Sequence, residues 1–174
     1  MDLNVVEREN NVLGQDFLTW LWYRIESGSH MFQLSDNTFY SVNMEQRISV
    51  QGGDGEGTET ATVNSPRGEL TEAKTGLKTG KKVCRAQLRF QSDEDEWTVT
   101  IKAEDFAMSA LKTPKIATKD EEGDDPDSKF LEKIYLIDKA TDMFDTMYNQ
   151  FLKIRLGKDW DEESRRIREW IGAL

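Results

Sequence analysis

One cysteine, one histidine and three prolines are spread over 174 residues, and cations are outnumbered 23 to 33. Each shortage excludes something. A lone Cys84 cannot close an intramolecular disulfide and, on the inward row of a strand, reads as a small core hydrophobe. His30, in a short loop beside Gly28 and Ser29, cannot build a multi-histidine metal site or complete a Ser-His-Asp triad. No apolar run approaches the ~20 residues that span a bilayer. The opening MDLNVVEREN has neither a basic start with an apolar region nor a small-residue cleavage site, so a cytoplasmic, non-membrane protein is expected. A net charge of −10 opposes whole-molecule attraction to nucleic acid.

Cofactor chemistry is missing as well. GGDGEG, residues 52–57, fits no phosphate-loop spacing and carries Asp54 and Glu56 where an anion would be repelled. GLKTGKK, residues 76–82, lies in the order helix, turn, strand, the reverse of a phosphate loop. Six acids between Asp120 and Asp127 lack the alternate ligands, central glycine and closing glutamate of a calcium loop. Glu69 with Glu72, and the run Asp93 to Glu96, read as an early helical turn and a hairpin loop. The expectation is a non-enzyme without metal or cofactor.

What is present is organised around residues 69–103. Cys84, Ala86, Leu88 and Phe90 alternate with Arg85, Gln87 and Arg89, and Trp97, Val99, Ile101 and Ala103 alternate with Thr98, Thr100 and Lys102. Period two marks half-buried strands. A loop over Gln91 to Glu96 sets the register as Phe90 with Trp97, Leu88 with Val99 and Ala86 with Ile101, leaving Arg85, Arg89 and Lys102 on the other face. Upstream, MFQLS is a short strand, Tyr40 to Val50 a long one, and TETATVN its hairpin mate. A helix from Gly68 to Thr79 lies between the two hairpins, with Gly80 as its C-terminal stop. EDFAMSALKTPK leaves the sheet as an exit segment ending at Pro114.

Helices flank the sheet. GQDFLTWLWYRIESG, residues 14–28, with Asp16 as cap, is apolar on most sides, as suits a helix buried between layers. After an acidic linker at 119–128, a long helix with Asp125 as N-cap, Pro126 at its first position and Gly157 beyond its end carries Phe130, Ile134, Ile137, Ala140, Phe144, Met147, Phe151 and Ile154 as one stripe, widened by Tyr135, Tyr148 and Leu152. A last helix starts at the capping box Asp159-x-x-Glu162 and places Ile167, Trp170, Ile171 and Leu174 on one face. The expected fold is a single α+β domain over 1–174: an antiparallel sheet of two hairpins with an intervening helix, a buried N-terminal helix and a C-terminal helical layer over 129–174.

Charge is unevenly placed, with net +3 from Arg67 to Lys119 and −13 elsewhere. Lys74, Lys78, Lys81, Lys82, Arg85, Arg89 and Lys102 are therefore the candidates for contact with a phosphate backbone. No aromatic ladder interleaves them, which argues against stacking on single strands. Trp20, Trp22 and Tyr23 of the first helix and Trp170 of the last are candidates for docking a protein partner.

The stretches EQRISVQGG, ELTEAKTGLKTG running into GKKVCRAQLRF, DEWTVTIKA and FLEKIYLIDKATDMF follow one another from about Glu45 to Leu152. In that order they resemble the C-terminal part of the bacterial recombination-associated RdgC family, and FLTWLWYR resembles a segment of longer RdgC-like chains. The resemblance implies a non-catalytic, oligomeric, nucleoid-associated protein that binds duplex DNA with little sequence preference and restrains RecA-dependent recombination. Lys81 matches the lysine after the helix-ending glycine, with Lys82, Arg85 and Arg89 on the DNA-facing side. The family's N-terminal half has no counterpart here, so a partner protein supplying it is part of the expectation. A module that docks a protein partner without touching DNA is the alternative.

Overall fold

The computed structural model describes residues 13–52, 59–64, 70–115 and 126–174. The chain is an α+β protein whose described residues form six antiparallel strands and four helices. In order these are α1 (Gly14–Glu26), β1 (Met31–Gln33), β2 (Phe39–Gly52), β3 (Glu59–Asn64), α2 (Thr71–Lys78), β4 (Lys82–Ser92), β5 (Asp95–Lys102), β6 (Met108–Lys112), α3 (Pro126–Arg155) and α4 (Trp160–Ala173). Strand order is β1-β2-β4-β5-β6, with β3 also pairing β2, beyond β1 along the same edge.

The central hairpin has the register its alternation predicts: Phe90 faces Trp97, Leu88 faces Val99 and Ala86 faces Ile101. Its loop is tighter than expected. The ladder continues through Gln91–Glu96 and Ser92–Asp95, leaving a turn at Asp93, whose φ is 53°. An aspartate tolerates that left-handed backbone better than most residues. The segment expected to leave the sheet at 108–112 instead pairs with β5 as a sixth strand.

Two irregularities decide which side chains face inward. Between Met44 and Ile48, β2 spends three residues where β4 spends one, so Gln46 and Arg47 are pushed into solvent. Between Ser49 and Val50 the excess lies on β4, at Cys84. That bulge reverses the alternation. Val83 becomes the fully buried residue and Cys84 is only half-buried, its thiol donating to the Ser49 carbonyl at 3.4 Å. The expectation of Cys84 on the inward row is thus corrected by one extra residue.

Helix α2 ends as its sequence indicates. Gly80 has φ 87°, its N–H donates to the Leu77 carbonyl at 3.0 Å, and the Lys81 N–H donates to the Gly76 carbonyl at 3.0 Å. These two bonds satisfy carbonyls that the helix end would otherwise orphan. The start expected for this helix, the linker up to residue 125, its Asp125 cap and the glycine run at 53–57 lie outside the described residues.

The sheet's inner face is covered by α1 and by the middle of α3 beside it, and α4 packs on these helices. Phe17 packs edge-on to Phe144 and Tyr148, and Trp22 to Trp170. Phe17, Leu18, Trp20 and Leu21 are completely buried, as a helix apolar on most sides requires. Two sheet side chains tie α3 down directly, Trp97 Nε1 donating to the Leu136 carbonyl at 2.9 Å and the Tyr40 hydroxyl to the Met143 carbonyl at 2.5 Å. Helix α4 is pinned through a buried carboxylate: Glu163 accepts the Trp20 indole N–H at 2.9 Å, with Arg24 4.0 Å away.

Expected caps are corrected. Leu13, with φ 51°, holds the N-cap of α1, while Asp16 lies in the first turn and pairs with Lys82 and Arg155. Asp159 stands at the N-cap of α4 without a side-chain cap bond, and Glu162 is drawn to Arg165 and Arg166 instead of reaching back.

Candidate interaction surfaces

The seven candidate cations do not share a surface. Arg85, Arg89 and Lys102 lie on the outer face of the sheet, where Arg85 stands opposite Lys102. Lys74 and Lys82 reach the helical side, pairing with Glu26 and Asp16 of α1. Lys81 meets Glu59 at the head of β3 at 2.7 Å, and Lys78 is exposed at the end of α2.

Most of them are also answered in place. Glu45 of β2 comes within 3.0 Å of Arg89, and Glu96 approaches the same guanidinium at 3.6 Å. Lys102 pairs with Glu104. These contacts shift two groups: the hydrogen bond from Lys81 holds Glu59 below the usual carboxylate range, and the bond to Glu104 holds Lys102 above the usual lysine range. Among the described residues only Lys78 and Arg85 of the seven have no carboxylate within 4.0 Å. The sheet face is therefore a mosaic of both signs. Counterion release by cations already neutralised is small.

The aromatic candidates are core. Trp20 and Trp22 are 0% and 1% exposed, which corrects the expectation that they reach a partner. Tyr23 and Trp170 are half-buried and spend their rings on each other, 5.8 Å between centroids.

Bare apolar surface lies elsewhere: Met31 and Phe39 are exposed on β1 and β2, and a larger group stands on the first half of α3. From Leu136 to Phe151 this helix buries Leu136, Ala140, Met143, Phe144, Met147 and Phe151. Towards its N-terminus, Phe130 and Leu131 are each 64% exposed, Tyr135 61% and Ile134 39%, and Ile137, just past Leu136, is also 39% exposed. The expected single stripe is thus corrected: its first three members, Phe130, Ile134 and Ile137, do not share the burial of the rest. Taking about 150–250 Å² for a large side chain, these five residues leave on the order of 500 Å² of apolar surface, at the upper end of what a monomer carries.

The same face continues in a different chemistry. Leu131, Tyr135, Asp138, Asp142 and Asp145 follow at spacings of four and three, so they lie one above another. All five are exposed, and among the described residues the three aspartates have no cation within 4.0 Å. Asn149, half-buried Leu152 and Leu156, 75% exposed, complete the line. The pairing of Leu131 with Tyr135, off the main stripe, is the signal in the sequence for this second face. Among the described residues no group of three or more His, Cys, Asp or Glu is arranged to hold a metal ion, and no helix is long and apolar enough to cross a membrane.

No protein-family model, curated protein or solved structure matches this chain.

Proposed function

We propose that this chain is a non-catalytic interaction module that docks a protein partner along the exposed face of α3. The observation that carries this reading is the exposure of Phe130, Leu131 and Tyr135, each above 60%, on a helix whose apolar stripe is buried from Ala140 to Phe151. Apolar area of that size next to an acidic line suits a partner segment, helical by preference, whose apolar residues are flanked by lysine or arginine. A second copy is disfavoured, because it brings another net charge of −10 to the contact.

The test uses a synthetic helical Leu/Lys peptide and its Leu/Glu counterpart. Wild-type protein is expected to bind the first and not the second. Binding falls at least about tenfold in Phe130→Ser/Leu131→Ser, the size expected for losing central apolar anchors, and Asp138→Lys/Asp142→Lys weakens it in a salt-dependent way. Equal binding of both peptides would overturn the charge assignment. A dimer by sedimentation that the serine variant dissolves would put a second copy on this face instead.

A second reading, contact with a duplex DNA backbone in recombination or replication, alone or in assembly with a partner protein, is favoured by Arg85 and Lys102 standing side by side on the outer sheet face. It rests on the resemblance to the RdgC family. Binding to random-sequence duplex that weakens steeply with salt and is lost in Arg85→Glu/Arg89→Glu would support it. No binding at low salt by the folded protein would reject it.

A further inference from the structure

Opposite in character to the acidic face of α3 is a cleft of about 300 Å³ where α1, the turn after α2 and α4 meet. Its apolar lining includes Trp20, Leu77, Trp160, Ile167 and Ile171. Around that lining stand Lys81, Lys82 and Arg168, with Asp16 as the carboxylate among them. Asp16 is shared, since Lys82 meets its Oδ1 and Arg155 approaches its Oδ2 at 3.6 Å. The partner of Lys81, Glu59, is 78% exposed, where solvent weakens its hold. Arg168 has no carboxylate within 4.0 Å among the described residues and reaches only the Ser164 hydroxyl, at 3.5 Å.

A chain of net charge −10 thus surrounds one apolar cleft with three cations against one acid. Clefts with low-dielectric walls and one excess sign concentrate the opposite ion. A volume of 300 Å³ is at the small end of ligand sites, and an apolar interior with a few convergent polar groups is their usual composition. We infer that this cleft binds a small organic anion, with an aromatic or branched aliphatic body between Trp160 and Ile171 and an acidic group held by Arg168. The site is independent of the docking face on α3.

The test is a titration of the full chain with 8-anilinonaphthalene-1-sulfonate, an aromatic anion, against the neutral N-phenyl-1-naphthylamine. Energy transfer from tryptophan is the readout. One saturable site is expected, with the neutral analogue at least about tenfold weaker and Arg168→Gln weakening the sulfonate by about tenfold, as for one lost charge-assisted contact. Ser164→Phe, which fills the cleft, abolishes the signal, and Phe130→Ser/Leu131→Ser leaves it unchanged. Circular dichroism confirms that each variant is folded. Absence of binding by the wild type, equal affinity for the neutral analogue, or loss only in the Phe130/Leu131 variant would overturn the inference. The last result would move the probe to α3 without touching the docking proposal.

Discussion

Replacing Glu163 isolates the buried hydrogen bond between the last helix and the first. The carboxylate is 8% exposed and accepts the Trp20 indole N–H at 2.9 Å, and Trp20 is completely buried. Glu163→Leu keeps the volume and removes the acceptor, leaving a buried donor unpaired. That costs about 1–3 kcal/mol. Glu163→Gln keeps an oxygen at the same place and gives up only the attraction to Arg24, at 4.0 Å and partly in solvent, so its cost is under about 1 kcal/mol. Urea unfolding followed by tryptophan emission measures both. In a Trp20→Phe background the indole donor is gone, so Glu163→Leu should cost little there, and the difference between backgrounds is the pair's own contribution. An equal cost in both backgrounds would show that Glu163 acts through something other than Trp20.

Three further outcomes follow from the packing. An added Cβ at Gly14 would lie 1.8 Å from the Ala103 carbonyl oxygen, so Gly14→Ala must part α1 from the sheet and should cost about 1–3 kcal/mol or more in urea unfolding; a neutral result would refute the close approach. Burial pushes the Cys84 thiol up, so the folded chain keeps a proton that the unfolded chain releases near pH 8.5. The native state then binds more protons than the unfolded one. Stability is complete below about pH 8.5 and falls as pH rises toward the raised thiol value, and Cys84→Ala should remove that early alkaline slope in urea midpoints taken across the range. On α3, Phe130→Ser should change stability by less than about 0.5 kcal/mol, whereas Phe151→Ala, at a completely buried position, should cost about 3–5 kcal/mol. Equal costs would mean that the first half of the helix packs within its own chain.

The sheet was legible because its information is local. Alternation in Ala86, Leu88, Phe90 and Trp97, Val99, Ile101 sets both face and register, and a one-residue slip would turn every one of these side chains into water. The bulges were not legible. Nothing in VCRAQ marks which residue is extra, and the answer comes from what β2 offers opposite, where Val50 meets Val83. The same reason defeats the reading of Arg89 as a free cation. Glu45, distant in sequence, lies beside it because β2 pairs with β4 in a register that sets Asn43 opposite Arg89 and Glu45 two residues further along the same strand.

Helix α3 shows where periodicity stops carrying information. Phe130, Ile134 and Ile137 are in step with Ala140, Phe144 and Phe151 at spacings of three and four, and one stripe is the economical reading. A helix of 30 residues is roughly 45 Å long, however, and a sheet cannot cover all of it. Burial begins at Leu136, where Trp97 donates to the helix backbone, and is reinforced two turns later at Met143 by Tyr40. Upstream of those anchors the apolar residues have no such sheet contact among the described residues. Leu131 and Tyr135 moreover lie on the line that continues into Asp138, Asp142 and Asp145, a face that the buried half keeps in water. A sequence selected only for the core of this fold has no use for apolar residues on that line. Under the proposed docking role, their presence separates a surface kept for a partner from a core stripe extended too far.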